Sequence, residues 1–337
     1  MADIRVGILG TGWSANRHAE ALRRLPGVEF VRMAGPEDAA ALLADPSLDA
    51  VHVCSVNAVH AEQARAALAA GKHVLCEKPL GVSAAQTADL DPGGLVAAVC
   101  FNYRHYAVVQ HLRSLIAREA YGPAHFVHGG YLQDWLLRET DWNWRLEGGR
   151  TRAVADIGSH WADLAQHLLG DVVVEVMADL TTLHPERRRE DALVPISTED
   201  FATVMLRFAR GARGSFVVSQ TSAGHKNHLT VAIDCAGASL AWDQESPERA
   251  WIGRRGEPNL ELVRDPALGG VLPAGHPEGW NDALLALCSE FYGAVRGDPA
   301  PALATFADGH RNLQLLDAIA ESGERGTWIG VGAEVGV

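Results

Sequence analysis

The stretch Ile4–Ala15, IRVGILGTGWSA, decides the fold. It opens as a short apolar run with β-branched residues and closes on Gly10, Gly12 and Ala15, spaced G-x-G-x-x-A. The next residues, SANRHAEALRRL, place Ala15, Ala19, Leu22 and Leu25 along one helical stripe. A strand that turns through such glycines into a helix suits a dinucleotide. The first glycine permits the tight turn, the second lets the backbone approach a pyrophosphate, and a small third residue lets the helix pack on the strand. Unsatisfied N–H groups and the helix dipole then favour negative phosphates. Thr11, Trp13 and Ser14 complete the candidate phosphate-side set with Gly10, Gly12 and Ala15.

Moving outward, strand and helix signals alternate. VEFVRMA, DAVHVCSV, HVLCE and LVAAVCF read as strands, and AEQARAALAAG as a helix closed by Gly71. This alternation, with nearly continuous apolar strands, predicts an α/β fold with a doubly wound parallel sheet covered on both faces, a Rossmann domain over residues 1–104. The pattern changes after about residue 120. AHFVHGGYL, FATVMLRFA, GSFVVSQT, HLTVAIDCA, ASLAWDQ and RAWIGRR are strand candidates at hairpin-like spacing, which predicts a large, open, mainly antiparallel sheet in a second α/β domain, 105–337. DIGSHWADLAQHLLG, NDALLALCSEFYGAV and TFADGHRNLQLLDAIAES read as helices, the last two able to pack back on the first domain. Thr182 to Glu199, polar and rich in arginine, reads as a surface loop.

Composition narrows the partners. The 337 residues carry 42 acidic against 29 basic side chains, a formal charge of −13, which argues against nucleic acid and anionic membranes. No run approaches the roughly 20 apolar residues of a membrane span, and MADIRVGILG lacks a secretory h-region. The five cysteines are widely spaced without a C-x-x-C pair, so they read as buried thiols of a reducing cytoplasm, with no disulfide framework and no metal site.

Beyond the glycine turn, the second strand ends in RMAGPED, with Gly35 where an acidic residue would hold the ribose hydroxyls and Glu37 and Asp38 just past it. NAD and NADP therefore both remain open as cofactors. HVLCEKPLG places Glu77 and Lys78 at the end of a parallel strand, where α/β sheets bind ligands. Val56, Asn57 and His60 in SVNAVH follow another strand and are candidates to line the cofactor cleft; Asn102 in FNYR ends the next one. Arg104 is a candidate for either the site or a domain contact, and Arg145 in NWR for a cofactor phosphate or a substrate oxygen. Asp156 and His160, four apart at a helix start, share a face that Asp163 and His167 continue. One helix face cannot surround a metal, so ordinary packing is the reading for Asp163 and His167. His18 reads as structural, and most of the dense tryptophans, Trp135, Trp142, Trp144 and Trp161, as packing residues.

GILGTGWSANRHAEAL, SVNAVHAEQARAALAAGKHVLCEKPLG, FNYR and DIGSHWADLAQHLLG, in that order and spacing, resemble the Gfo/Idh/MocA oxidoreductase family over nearly the full length. The resemblance implies hydride transfer between NAD(P) and a ring hydroxyl of a sugar, cyclitol or related polyol. It also implies a catalytic group of Lys78, Asp156 and His160, and a homodimer or homotetramer formed through the C-terminal sheet. Lys78 or His160 would handle the proton that leaves with alcohol oxidation. The chain departs from the family twice in its nucleotide half: a helix and short strand are missing around residues 35–45, and a helix around 88–94 is about two turns short. Two rival readings keep the fold: a glycosidase or lyase that uses tightly bound NAD transiently, and a non-catalytic cofactor-binding relative.

Overall fold

The structure is a computed structural model and describes residues 3–332 except Gly148 and Ala274. Residue contacts divide the chain into two units. One holds the residues up to Ala107 together with Gly269–Leu313; the other holds Val108–Leu268 and the residues from Gln314 onward.

The first unit begins β1 (Ile4–Leu9), α1 (Trp13–Arg23), β2 (Val28–Ala34), α2 (Ala39–Leu43), β3 (Ala50–Val53), α3 (His60–Ala69), β4 (His73–Cys76) and β5 (Ala97–Val99). All five predicted strands form, pair in parallel and lie in the order β2-β1-β3-β4-β5. From β1 the chain steps one way to β2 and then back to β3, so the order reverses between β1 and β3. In such sheets that reversal opens a ligand crevice at the carboxyl ends of the strands.

Both short regions read from the sequence lie in this unit. Between β2 and β3 there is no strand, only a 3-10 turn at Pro36–Asp38 and the five-residue α2. Between β4 and β5 the expected shortened helix is absent altogether; a single 3-10 turn, Ala84–Gln86, takes its place. Asp91, Pro92, Gly93 and Gly94 explain part of this, because none of them favours a helix interior.

The second unit carries α4 (Ala107–Ala117, whose first residue belongs to the first unit), β6 (Ala124–Leu132), α5 (Ser159–Leu169), β7 (Val173–Thr181), β8 (Glu186–Arg189), β9 (Ala192–Pro195), β10 (Phe201–Phe208), β11 (Arg213–Ser219), β12 (His228–Cys235), β13 (Ser239–Asp243), β14 (Arg249–Gly253) and β15 (Leu260–Val263). With β16 (Ile329–Gly330), these build a nine-stranded sheet, β15-β14-β13-β12-β6-β11-β10-β7-β16. Every pairing in it is antiparallel except β6 with β11. Helix α5 packs on one face: Trp161 is fully buried, stacks on Phe216 at 4.6 Å and donates from Nε1 to the Thr230 carbonyl at 2.9 Å. The other face alternates outward, leaving Met205, Val217 and Trp251 exposed.

Five elements are additions to the sequence reading: α2, α4, β7, β15 and β16. One is a correction. Thr182 to Glu199 is not a surface loop, since β8 and β9 pair there as an antiparallel hairpin and Arg187 points inward, fully buried. Its guanidinium donates to the carbonyls of Leu136 and Arg138 and to Asp200 Oδ1, and these acceptors draw it inward.

Helix α6 (Trp280–Val295) belongs to the first unit, and α7 (Phe306–Arg325) begins there. Leu284, Leu287 and Phe291 of α6 join Ile4, Val6, Ile8 and Leu22 in one core cluster. Each such side chain, when buried, contributes about 1.5–3 kcal/mol. No helix among the described residues is long and apolar enough to cross a membrane.

Candidate active site

In the first unit, the glycine turn sits at the β1 end of the crevice. Gly10 has φ +114°, and a Cβ there would lie 2.3 Å from the Cys54 carbonyl oxygen, so this backbone can pass the end of β3 only as glycine. Gly12 differs: nothing stands within 4 Å of where its Cβ would be. It caps α1 without any side-chain hydrogen bond, and no acidic residue occupies the first turn. No side chain at Gly12 covers the first-turn N–H groups, which fits a pyrophosphate. Ala15 is fully buried on the core side, as the third position of the motif requires, while Thr11 and Trp13 are exposed. The Trp13 ring lies 5.1 Å from that of Trp280.

Across the reversal, the β3 end presents Val56, exposed, and Asn57, half-buried at the start of a 3-10 turn. His60 is buried, with Nδ1 2.7 Å from the Pro79 carbonyl oxygen and Nε2 3.0 Å from that of Ser55; a neutral ring donates from one nitrogen at a time. Burial lowers its pKa despite those two acceptors. Its ring therefore fixes the chain just past Lys78. Asn102 is buried where β5 ends, and its Nδ2 has no hydrogen-bond partner among the described residues. Arg104 pairs with Asp308 at 3.7 Å within the same unit.

Glu77 and Lys78 follow β4, and the Lys78–Pro79 peptide is cis. One Glu77 oxygen accepts from Ser14 Oγ at 2.6 Å and lies 3.2 Å from His18 Nε2; the other accepts the Lys78 backbone N–H at 3.0 Å. Burial acts to raise the Glu77 pKa, but these donors and the Lys78 charge outweigh it and leave the carboxyl well below the usual range. The Ser14 and Glu77 side chains, both read from sequence as cofactor contacts, bond to each other.

In the second unit, Asp156 lies in a π-helical turn, Val154–Gly158, and His160 one residue into α5. Such turns recur at functional sites because the widened turn re-aims side chains. Asp156 accepts from Gln220 Nε2 at 2.9 Å and pairs with Arg145 Nε at 3.2 Å. Arg145 also lies over the Trp144 ring, 4.5 Å from its centroid. The His160 ring stands 6.4 Å from that of Tyr131. His167 Nε2 lies 3.2 Å from Gln110 Nε2.

The start of this helical segment is held from beneath by groups the sequence reading missed. Glu199 accepts the backbone N–H groups of Arg152, at 2.9 Å, and Val154, at 2.8 Å. Burial pushes its pKa up to about 7 against those donors. Arg152 in turn donates to the Glu199 carbonyl and Asp200, so two arginines, Arg152 and Arg187, meet one buried carboxylate. The signal was weak in the sequence: an acidic pair, Glu199–Asp200, ahead of a strand.

A five-stranded parallel sheet with a glycine turn at the reversal of its strand order is the fold of an NAD-binding oxidoreductase. The chain belongs to the Gfo/Idh/MocA family. Residues 32–91 match the model described as the oxidoreductase family with an NAD-binding Rossmann fold, and residues 109–241 match the GFO/IDH/MocA C-terminal domain, together more than half of the chain. Levoglucosan dehydrogenase of Pseudarthrobacter phenanthrenivorans is 28% identical, covering 98% of this chain and 99% of the relative. That alignment runs over 397 positions against 337 residues here, so gaps open on this chain's side. Among solved structures, an oxidoreductase domain protein from Kribbella flavida superposes with a TM-score of 0.90 at 27% identity, covering 98% of this chain and 100% of that one. Levoglucosan dehydrogenase in complex with NADH and L-sorbose superposes with a TM-score of 0.89 at 27% identity, covering 98% and 99%.

Proposed function

We propose that this protein oxidises a ring hydroxyl of a sugar, anhydrosugar or cyclitol with NAD, using Lys78 as the proton acceptor and Asp156 and His160 as partners of the substrate hydroxyls. The observation that carries the reading is Lys78 at the end of β4, its main chain locked by Glu77 and bracketed by the Pro79–His60 bond. Bound NAD would accept the hydride from the carbinol carbon. The residues do the rest: the α1 N-terminus seats the pyrophosphate, Lys78 takes the hydroxyl proton, and Asp156, fixed by Gln220 and Arg145, accepts a hydrogen bond from the sugar.

NAD is favoured over NADP by Glu37. Its Oε1 lies 3.2 Å from where a Cβ on Gly35 would be, so the carboxylate folds back over the β2 end. There it supplies the acidic group that Gly35 cannot, and its charge opposes a 2′-phosphate. A panel of levoglucosan, myo-inositol, glucose and glucose 6-phosphate, each with NAD and NADP, tests both points through nicotinamide absorbance. Turnover of an unphosphorylated ring polyol, at least about tenfold faster with NAD, is expected. Absence of turnover across the panel, or a preference for NADP, would reject the corresponding part.

Exposed Met205, Val217 and Trp251 on the face opposite α5 support this sheet face as the subunit contact. Light scattering is expected to give a dimer or tetramer that Trp251→Glu dissociates; a monomer in the unaltered protein would refute it.

A further inference from the structure

We propose that Tyr292, His52 and His18 are positioning residues: a proton-ordered chain that holds Glu77 as a carboxylate against the Lys78 main chain. This deepens the assignment of Lys78 and rests on it. The four groups come from four separate elements, α6, β3, α1 and the end of β4, and meet inside the first unit. Tyr292 Oη lies 2.7 Å from His52 Nε2, His52 Nδ1 lies 2.8 Å from His18 Nδ1, and His18 Nε2 lies 3.2 Å from Glu77 Oε1. Tyr292 is 1% exposed, and His52 and His18 are fully buried.

The direction of the chain follows from counting protons. Between two Nδ1 atoms one must donate and the other accept. The Tyr292 hydroxyl has one side-chain partner among the described residues, His52, so its proton goes there; otherwise a buried O–H is left orphaned. His52 Nε2 then accepts, its Nδ1–H donates to His18, and His18 Nε2–H is left to donate to the carboxylate. Burial favours the neutral His52 ring that this order requires. Every polar atom in the chain is satisfied in this arrangement, and reversing it strands the phenol proton. The end point is functional in location. Ser14 and His18 are on the helix that follows the glycine turn, and both bond the carboxylate that accepts the Lys78 N–H. The dinucleotide seat and Lys78 are thereby held in one fixed relation, with a negative charge beside the lysine. A packing role alone would need none of these protons placed.

Long-range nitrogen–proton NMR on the full-length NAD-bound protein tests the order without any substitution. The His18–His52 pair is expected with the His18 proton on Nε2 and the His52 proton on Nδ1. The opposite tautomer in either residue would overturn the proposal. Kinetics test the consequence. His18→Leu removes the donor, destabilises the Glu77 carboxylate, and is expected to lower kcat between about ten- and a hundredfold. The loss is expected on kcat, with the KM values little changed. His18→Gln, which keeps an N–H donor, is expected to restore most of it. A His18→Leu kcat identical to the unaltered protein's, with Lys78→Ala inactive, would overturn the positioning role and leave Lys78 in place. Full turnover in Lys78→Ala would remove the reading of Lys78 and this proposal with it.

Discussion

Lys78→Ala is expected to lower kcat about a thousandfold while NAD still binds and the melting curve barely moves. General base catalysis contributes roughly 10²–10⁴-fold when the base is aimed at the hydroxyl that loses its proton. The side chain at 78 is half-buried beyond the strand, and the β4 ladder does not depend on it. What fixes the position is main-chain chemistry: the Lys78 N–H on Glu77 and the Pro79 carbonyl on His60. Alanine keeps both. Loss of turnover with retained NAD binding, measured by titration and single-turnover kinetics, separates a chemical role from a structural one. Retained turnover would take Lys78 out of the mechanism.

Asp200→Ala should be the most destabilising substitution in the second unit. Asp200 is fully buried; one oxygen meets both Arg152 and Arg187, and the other accepts the backbone N–H groups of Leu183 at 2.7 Å and His184 at 3.0 Å. Removing it leaves two guanidinium groups buried without their carboxylate. Breaking a buried pair in this way costs about 3–5 kcal/mol, because the remaining charge is uncompensated. A fall in melting temperature on the order of 10 °C is expected for that unit. By contrast Arg189, from the same hairpin, pairs with Glu147 in solvent, and Arg189→Ala should cost under about 1 kcal/mol. Scanning calorimetry of the two variants side by side decides the point. Similar losses in both would mean that the buried cluster carries no special weight. Arg152 and Val154 hang from Glu199 next door, so the same variant should also slacken the turn that carries Asp156.

The sequence made the first unit legible because its signals are local. A glycine turn between strand and helix, five short apolar runs, and a lysine before a proline can each be read within ten residues, and each folds as read. The second unit was less legible, for two physical reasons. Val173–Thr181 has strand-forming residues, but its burial alternates irregularly, and it takes its place through pairing with β10 and β16. The run ERRRE looks solvated, and four of its residues are exposed; Arg187 is buried only because carbonyls from Leu136 and Arg138 and the Asp200 carboxylate converge on it. Nothing near Arg187 in the chain announces those acceptors. The same holds for His52 and Tyr292, 240 positions apart and joined by one hydrogen bond. Arg145 shows the converse: its sequence left two roles open, and the fold sets it against Asp156.

Hydride transfer itself is the most direct test. A ring polyol selected by the panel, deuterated at its carbinol carbons, is incubated with the protein and NAD, and the released cofactor is examined by mass spectrometry. One deuterium in NADH, matched by a keto product lacking it, is the predicted result; unreduced cofactor retained by the protein, or deuterium washed into solvent, would contradict it.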